Sequence, residues 1–285
     1  MSTRRKAALS KPIGAVALAL ALGFASGAAA RSLGSPVLVT PRASRVVPYR
    51  FFADRTATVP LLVHAPEPQG LALHAQLVQL ASGFAVPIAA ALEVPLPTDA
   101  SPSPGLEIEL SIPLPAVKRE TDFELRFRSR RGRDGVWHAA GRIPLRVYPA
   151  DLLSPVRQWA TSHPLRVKDD RGSLIEFLRQ QKIPVVGGEI QGFRDDRGVT
   201  LYAGARAVRE RALAPLRQGE ATVFFAERET ETPRFLVERK DGGTTVTVEM
   251  RLLDRLAADP LAQKTFLELF EVLNNERQSM GGNDQ

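Results

Sequence analysis

The chain has 285 residues, a formal net charge of +7, 44% hydrophobic residues and no cysteine. That length suits one large domain or two ordinary ones. The missing cysteine excludes disulfides, thiol nucleophiles and thiolate metal sites.

The first thirty residues read as a secretory signal peptide. Arg4, Arg5, Lys6 and Lys11 precede an uncharged apolar run from Ile13 to Phe24, and small residues follow as far as Ala28-Ala29-Ala30. An uncleaved membrane anchor needs about 20 apolar residues. The last third of this stretch is Gly, Ser and Ala, which suits cleavage near Ala30 better. Thr3-Arg4-Arg5-Lys6 also has a twin-arginine pattern, with Ala7 and Ala8 where that signal usually has stronger apolar residues. Either route places the working chain in the periplasm or outside the cell. Arginine outnumbers lysine 31 to 7, a bias that points to a GC-rich bacterial genome. Cleavage removes four of the 38 Lys+Arg and none of the 31 Asp+Glu, leaving 34 minus 31, or +3. So small a net charge gives little reason to expect nucleic acid. No later apolar run is long enough for a transmembrane segment.

Residues 31–149 alternate with period two, the mark of strands with one buried face. Val37–Thr40, Thr58–His64, Leu71–Leu80 and Ala85–Leu92 are the first expected strands. Leu106, Ile108, Leu110 and Ile112 then oppose Glu107, Glu109 and Ser111. Phe123, Leu125 and Phe127 oppose Glu124, Arg126 and Arg128. Asp134-Gly135 predicts a hairpin, after which Ile143, Leu145 and Val147 face one way and Gly141 marks a bulge. About seven short strands without a helix fit an immunoglobulin-like β-sandwich.

After Tyr148-Pro149 the pattern changes to alternating helices and strands. Ser154-Pro155 predicts an N-cap and first helical residue. Strand 165–168, helix 173–181, strands 183–186 and 199–203, helix 205–218 and strand 221–226 follow. Asp241-Gly242-Gly243 joins a hairpin, 234–238 with 244–250. Asp259-Pro260 opens a last helix, with Phe266, Leu269, Phe270 and Leu273 at i, i+3, i+4, i+7. Residues 150–274 therefore predict a small three-layer α/β domain with an antiparallel edge hairpin. Residues 275–285 read as a flexible tail.

The usual catalytic signatures are missing. The four histidines have no metal-ligand spacing, and H-E-x-x-H, G-x-S-x-G, S-x-x-K, Walker A and G-x-G-x-x-G are all absent. No metal or cofactor is expected. What remains is the carboxyl edge of the α/β sheet, where open sheets bind ligands. Asp169, Asp170, Glu189 and Glu227 are the candidate catalytic carboxylates there. Gly187, Gly188, Gly204 and Arg206 are candidate ligand-binding residues. The plain alternative is that polar residues end strands because strand ends meet water.

A second feature is the arginine cluster Arg126, Arg128, Arg130, Arg131 and Arg133, with Arg142 and Arg146 on the returning strand. Like charges facing across strands cost stability. The cluster therefore invites an acidic protein or an anionic envelope component as partner, unless Glu120, Glu124 and Asp134 neutralise it within the domain. Trp137 and Trp159 read as packing residues in preference to sugar-stacking platforms.

Three segments carry a resemblance: "VTLYAGARAV" at 199–208, "LAPLRQGEATVFF" at 213–225 and "LLDRLAADPLAQKTFLELFEVL" at 252–273. The α/β half resembles a shortened glutamine-amidotransferase-like domain of exported bacterial proteins. That resemblance implies a Rossmann-like fold. It also implies a nucleophilic cysteine on a turn after a strand. The comparable turn here is Gly204-Ala205-Arg206, which has no cysteine, so the family's reaction is not expected. The leading expectation is an exported, non-catalytic binding or assembly module. The alternative is a hydrolase acting on a cell-envelope or carbohydrate substrate through the acidic strand ends.

Overall fold

The computed structural model describes residues 37–42, 48–65, 69–97, 105–186, 198–205, 219–226, 232–240 and 242–281, with 209, 228 and 230 singly. The expected signal segment, Gly187, Gly188, Glu189, Arg206, Glu227 and, apart from the helical Ala205 and Arg209, the expected helix over 205–218 lie outside the described residues.

Among the described residues, nine strands precede the first helix. They are β1 (Leu38–Pro41), β2 (Tyr49–Phe52), β3 (Thr56–His64), β4 (Leu71–Ala81) and β5 (Phe84–Pro87). Then come β6 (Leu92–Val94), β7 (Leu106–Pro113), β8 (Thr121–Arg131) and β9 (His138–Tyr148). One sheet has the order β1-β3-β7 and a larger one β2-β9-β8-β4-β5, with β6 also paired to β4. The inward residues of both sheets form one core. Val59, Leu61 and Ile112 from the small sheet join Leu73, Phe123, Leu125, Phe127 and Ile143 from the large one. Each such side chain contributes about 1.5–3 kcal/mol by leaving water.

Two details differ from the sequence reading. The expected strand Ala85–Leu92 divides into β5 and β6, because Pro87 has no N–H to continue the ladder and the chain leaves the sheet before returning at Leu92. Strand β2 is additional. It pairs in parallel with the end of β9 (Tyr49 opposite Leu145, Phe52 opposite Tyr148). Gly141 does sit at a bulge. The β8–β9 register slips between Phe127 and Arg128, so Phe127 faces Gly141 while Arg128 faces Ala139.

The second half contains α1 (Ser154–Ser162), β10 (Leu165–Asp169), α2 (Ser173–Gln180), β11 (Val199–Ala203) and β12 (Ala221–Ala226). It continues with β13 (Phe235–Lys240), β14 (Gly243–Glu249) and α3 (Pro260–Gly281). The sheet order is β10-β11-β12-β14-β13. Its first four strands are parallel and β13 is an antiparallel edge. Leu201, Val223 and Val246 stand in register on one face. They share a buried cluster with Val156 of α1, Phe177 of α2 and Phe266 of α3. The fold is thus mixed and β-rich, with several sheets.

Here too the chain departs from expectation. Ser154 lies inside α1, and Leu153, wholly buried, precedes it without a side-chain cap. The segment 183–186 contributes only an isolated bridge, Val186 to Arg166. Helix α3 runs through Gly281 instead of giving way to a flexible tail. Glu276 pairs there with Arg239 of β13 at 2.6 Å, and no Gly or Pro breaks the run from Leu261 to Met280.

The two cores belong to one compact unit. A charged cluster ties them. Glu120, just before β8, accepts from Lys264 of α3 at 2.7 Å and meets Arg146 of β9 at 3.2 Å. Burial lowers the Lys264 pKa, but the hydrogen bond and charge of Glu120 outweigh it and the net shift is upward. Burial raises the neighbouring Glu268 and Tyr148. Among the described residues, no helix is long and apolar enough to cross a membrane.

Candidate functional site

The carboxyl edge of the α/β sheet brings together three of the sequence candidates. Asp169 ends β10, and its carboxylate faces the first turn of α2. Oδ1 accepts the N–H of Arg171 at 3.0 Å, and Oδ2 accepts those of Leu174 at 2.6 Å and Ile175 at 3.3 Å. Oδ2 therefore satisfies backbone donors that a helix start leaves without partners, and Oδ1 holds the turn that leads into it. Asp170 donates its N–H to the carbonyl of Ala203 at 3.1 Å. Its carboxylate lies against Gly204, whose φ of +99° and lack of a side chain allow that approach. Among the described residues, no group of three or more His, Asp or Glu side chains could hold a metal ion.

The capping geometry gives Asp169 a measurable structural weight. Asp169→Ala is expected to lower stability by about 1–2 kcal/mol, read from chemical denaturation, with Asp169→Asn retaining much of it. An alanine variant as stable as the parent would remove the capping role.

The arginine cluster falls on the outer face of the large sheet. Strand β8 alternates strictly. Phe123, Leu125 and Phe127 are buried, so Glu124, Arg126, Arg128 and Arg130 project the other way. On β4 the same alternation turns His74 and Gln76 outward, while Val78 beyond them is buried, and the register sets His74 opposite Arg128 and Gln76 opposite Arg126. The next strand sets Arg142 opposite Arg126 and Arg146 opposite Asp122.

Part of this charge is neutralised inside the chain. Arg126 donates to Glu124 at 2.6 Å, and Arg146 donates to Asp122 at 2.8 Å. The hydrogen bond donated to Asp122 holds the Arg146 guanidinium above its ordinary pKa, against the opposing effect of burial. Glu124 and Glu120 thus do what the sequence left open for them. Arg128 and Arg142 are exposed and form no ion pair among the described residues. Arg131 and Arg133 lie exposed at the hairpin between β8 and β9.

Between Arg126, Arg128 and strand β5 lies a cavity of about 300 Å³, at the small end of ligand pockets. Its floor is His74, Gln76 and Val78 of β4. Ala85 and Pro87 of β5, with Ala91 beyond it, form an alkyl wall. Trp137 lines the cavity as well, and is half-buried instead of forming part of a core. Its ring lies 4.1 Å from the His74 ring, and the Arg130 guanidinium stands 4.7 Å from its centroid. The Arg130 Nε is buried with no hydrogen-bond partner, so its charge is met by the indole face.

Arg126 and Arg128 were legible from β8 alone. His74, Gln76, Pro87 and Ala91 were not, because only strand pairing brings them beside β8. The one available signal was the period-two position of His74 and Gln76 between Leu73, Ala75 and Leu77.

No protein-family model matches the chain, and no curated protein matches it. Among solved structures, the crystal structure of a Niemann-Pick type C2 protein from the Japanese carpenter ant is similar to part of it. That likeness has 10% identity and a TM-score of 0.26, over 40% of this chain and 89% of that one. It is too slight to carry a functional argument.

Proposed function

We propose that this chain is an exported, periplasmic or secreted, non-catalytic binding module that takes an anionic ligand in the groove beside β8. In this reading residues 31–149 are an immunoglobulin-like sandwich that presents the groove. The following part is a three-layer α/β domain of shortened glutamine-amidotransferase-like form, without that family's cysteine. It serves as the support to which the sandwich is fixed through Glu120 and Lys264.

One observation carries the proposal. Arg128 and Arg142 stand exposed on one sheet face beside the paired Arg126, with no carboxylate of their own among the described residues. Facing arginines on neighbouring strands repel. A chain whose Glu124, Asp122 and Glu120 neutralise the adjacent arginines leaves these two for a partner.

The test uses the chain from Arg31 on immobilised polyglutamate and polygalacturonate. The parent should be retained near physiological ionic strength and released by salt. Arg128→Glu with Arg142→Glu should weaken retention by about tenfold or more, a loss of about 1.4 kcal/mol. Equal retention of the charge-reversed variant, at unchanged thermal stability, would refute this function.

A further inference from the structure

Resting on the anion-binding reading above, we infer that the groove takes an anionic saccharide, its ring against Trp137 and its acidic group on Arg128.

The aromatic platform is already assembled. His74 and Arg130 project outward from adjacent strands β4 and β8, and both touch Trp137. Both groups hold the ring in place, and Trp137 also lines the cavity. A ring held this way by an imidazole and a guanidinium loses little freedom when a ligand stacks on it. The exposed Arg128 lines the same cavity and sits opposite His74 in the strand register. Its planar fork suits a carboxylate or a sulfate. Gln76 and His74, on the floor, supply amide and imidazole groups of the kind that pair with hydroxyls.

The remaining wall decides between ligand classes. Ala85, Pro87, Ala91 and Val78 offer alkyl surface and no side-chain donor or acceptor. A sugar ring, with its C–H faces and peripheral hydroxyls, matches a site that is alkyl on one side and aromatic and cationic on the other. An extended acidic peptide would bring backbone N–H and C=O groups against that wall and leave them without partners. A bilayer surface would need protruding groups, whereas Arg128 and Trp137 meet in a concavity.

The experiment is calorimetric titration of the chain from Arg31 with trigalacturonate, a heparin-derived tetrasaccharide, a neutral galactose trimer, hexaglutamate and phosphatidylglycerol vesicles. At least one acidic saccharide should bind, and the neutral trimer should not. Trp137→Ala and Arg128→Gln should each weaken the saccharide by about tenfold, and Trp137→Phe should recover part of the loss. Thermal melts confirm that the variants fold. If hexaglutamate or vesicles bind as well as the saccharides and Trp137→Ala changes nothing, the saccharide inference fails while anion binding stands. If no anion binds the parent chain, both readings fall.

Discussion

Phe266→Ala is expected to cost about 3–5 kcal/mol, the range for an aromatic side chain deleted from a rigid core. Phe266 has no exposed surface. It stands on α3 among Phe177 of α2, Phe225 of β12 and Phe270, with ring centroids 6.4, 6.4 and 5.1 Å away. Three separate elements therefore meet at one ring, and no single neighbour can move to fill the space it leaves. Domains are stable by only about 5–15 kcal/mol, so the loss would leave this half close to unfolding at moderate temperature. The chain carries its own reporters. Trp159 packs 5.0 Å from Phe270 in the same cluster, while Trp137 lies on the other half. Denaturation followed by Trp159 in a Trp137→Phe background should show the shifted midpoint. A shift equivalent to less than about 1 kcal/mol would mean that the four-ring cluster is not the anchor of the α/β core. If Trp137, followed in a Trp159→Phe background, reports the same shift, the two halves unfold as one cooperative unit.

Gly141→Ala should cost about 2–3 kcal/mol through overpacking. A β-carbon at 141 would collide with the carbonyl oxygen of Val39 and come within 3.2 Å of its carbonyl carbon. The obstacle is backbone, so no rotamer change relieves it. Strand β1 would have to move away, and Val39, 2% exposed and part of the core of the first half, would move with it. The same glycine sits where the β8–β9 register slips. Thermal unfolding gives the cost, and hydrogen exchange of the β1 amides localises it. A melt within about a degree of the parent, with β1 protected as before, would contradict the close approach.

This bulge connects stability to the proposed site. Arg126 faces Arg142, yet two residues further on Arg128 faces Ala139, because one residue of β9 is left over. That residue is Ala140, which turns inward and is 2% exposed. A variant that repairs the register would alter the groove as well as the fold.

Much of the scaffold was legible in the chain alone. Residues that alternate over eight or more positions, as in β7, β8 and β9, have one arrangement that buries one face. Asp134-Gly135 fixed where β8 turns back. Phe266, Leu269, Phe270 and Leu273 announced the buried side of α3. Short or mixed segments were not legible. Four-residue β2 exists because β9 offers it a parallel edge. The segment at 183–186 is apolar enough for a strand, yet it makes a single bridge. The tail beyond Asn274 stays helical because Glu276 finds Arg239 on another element.

The candidate site divides the same way. Local alternation determined that Arg126, Arg128 and Arg130 share a face turned from the core, since the period of a strand admits no other outcome. Composition also removed cysteine chemistry. Tertiary structure decided which arginines keep a free charge, because Glu124, Asp122 and Glu120 reach only some of them. It decided that Asp169 spends its carboxylate on the start of α2. It also set Trp137, His74 and the alkyl wall of β5 around Arg128. Trp137 comes round with the β8–β9 turn, but His74 and the β5 wall lie far from Arg128 along the chain, and only long-range strand pairing, driven by burial of the opposite face, makes them neighbours.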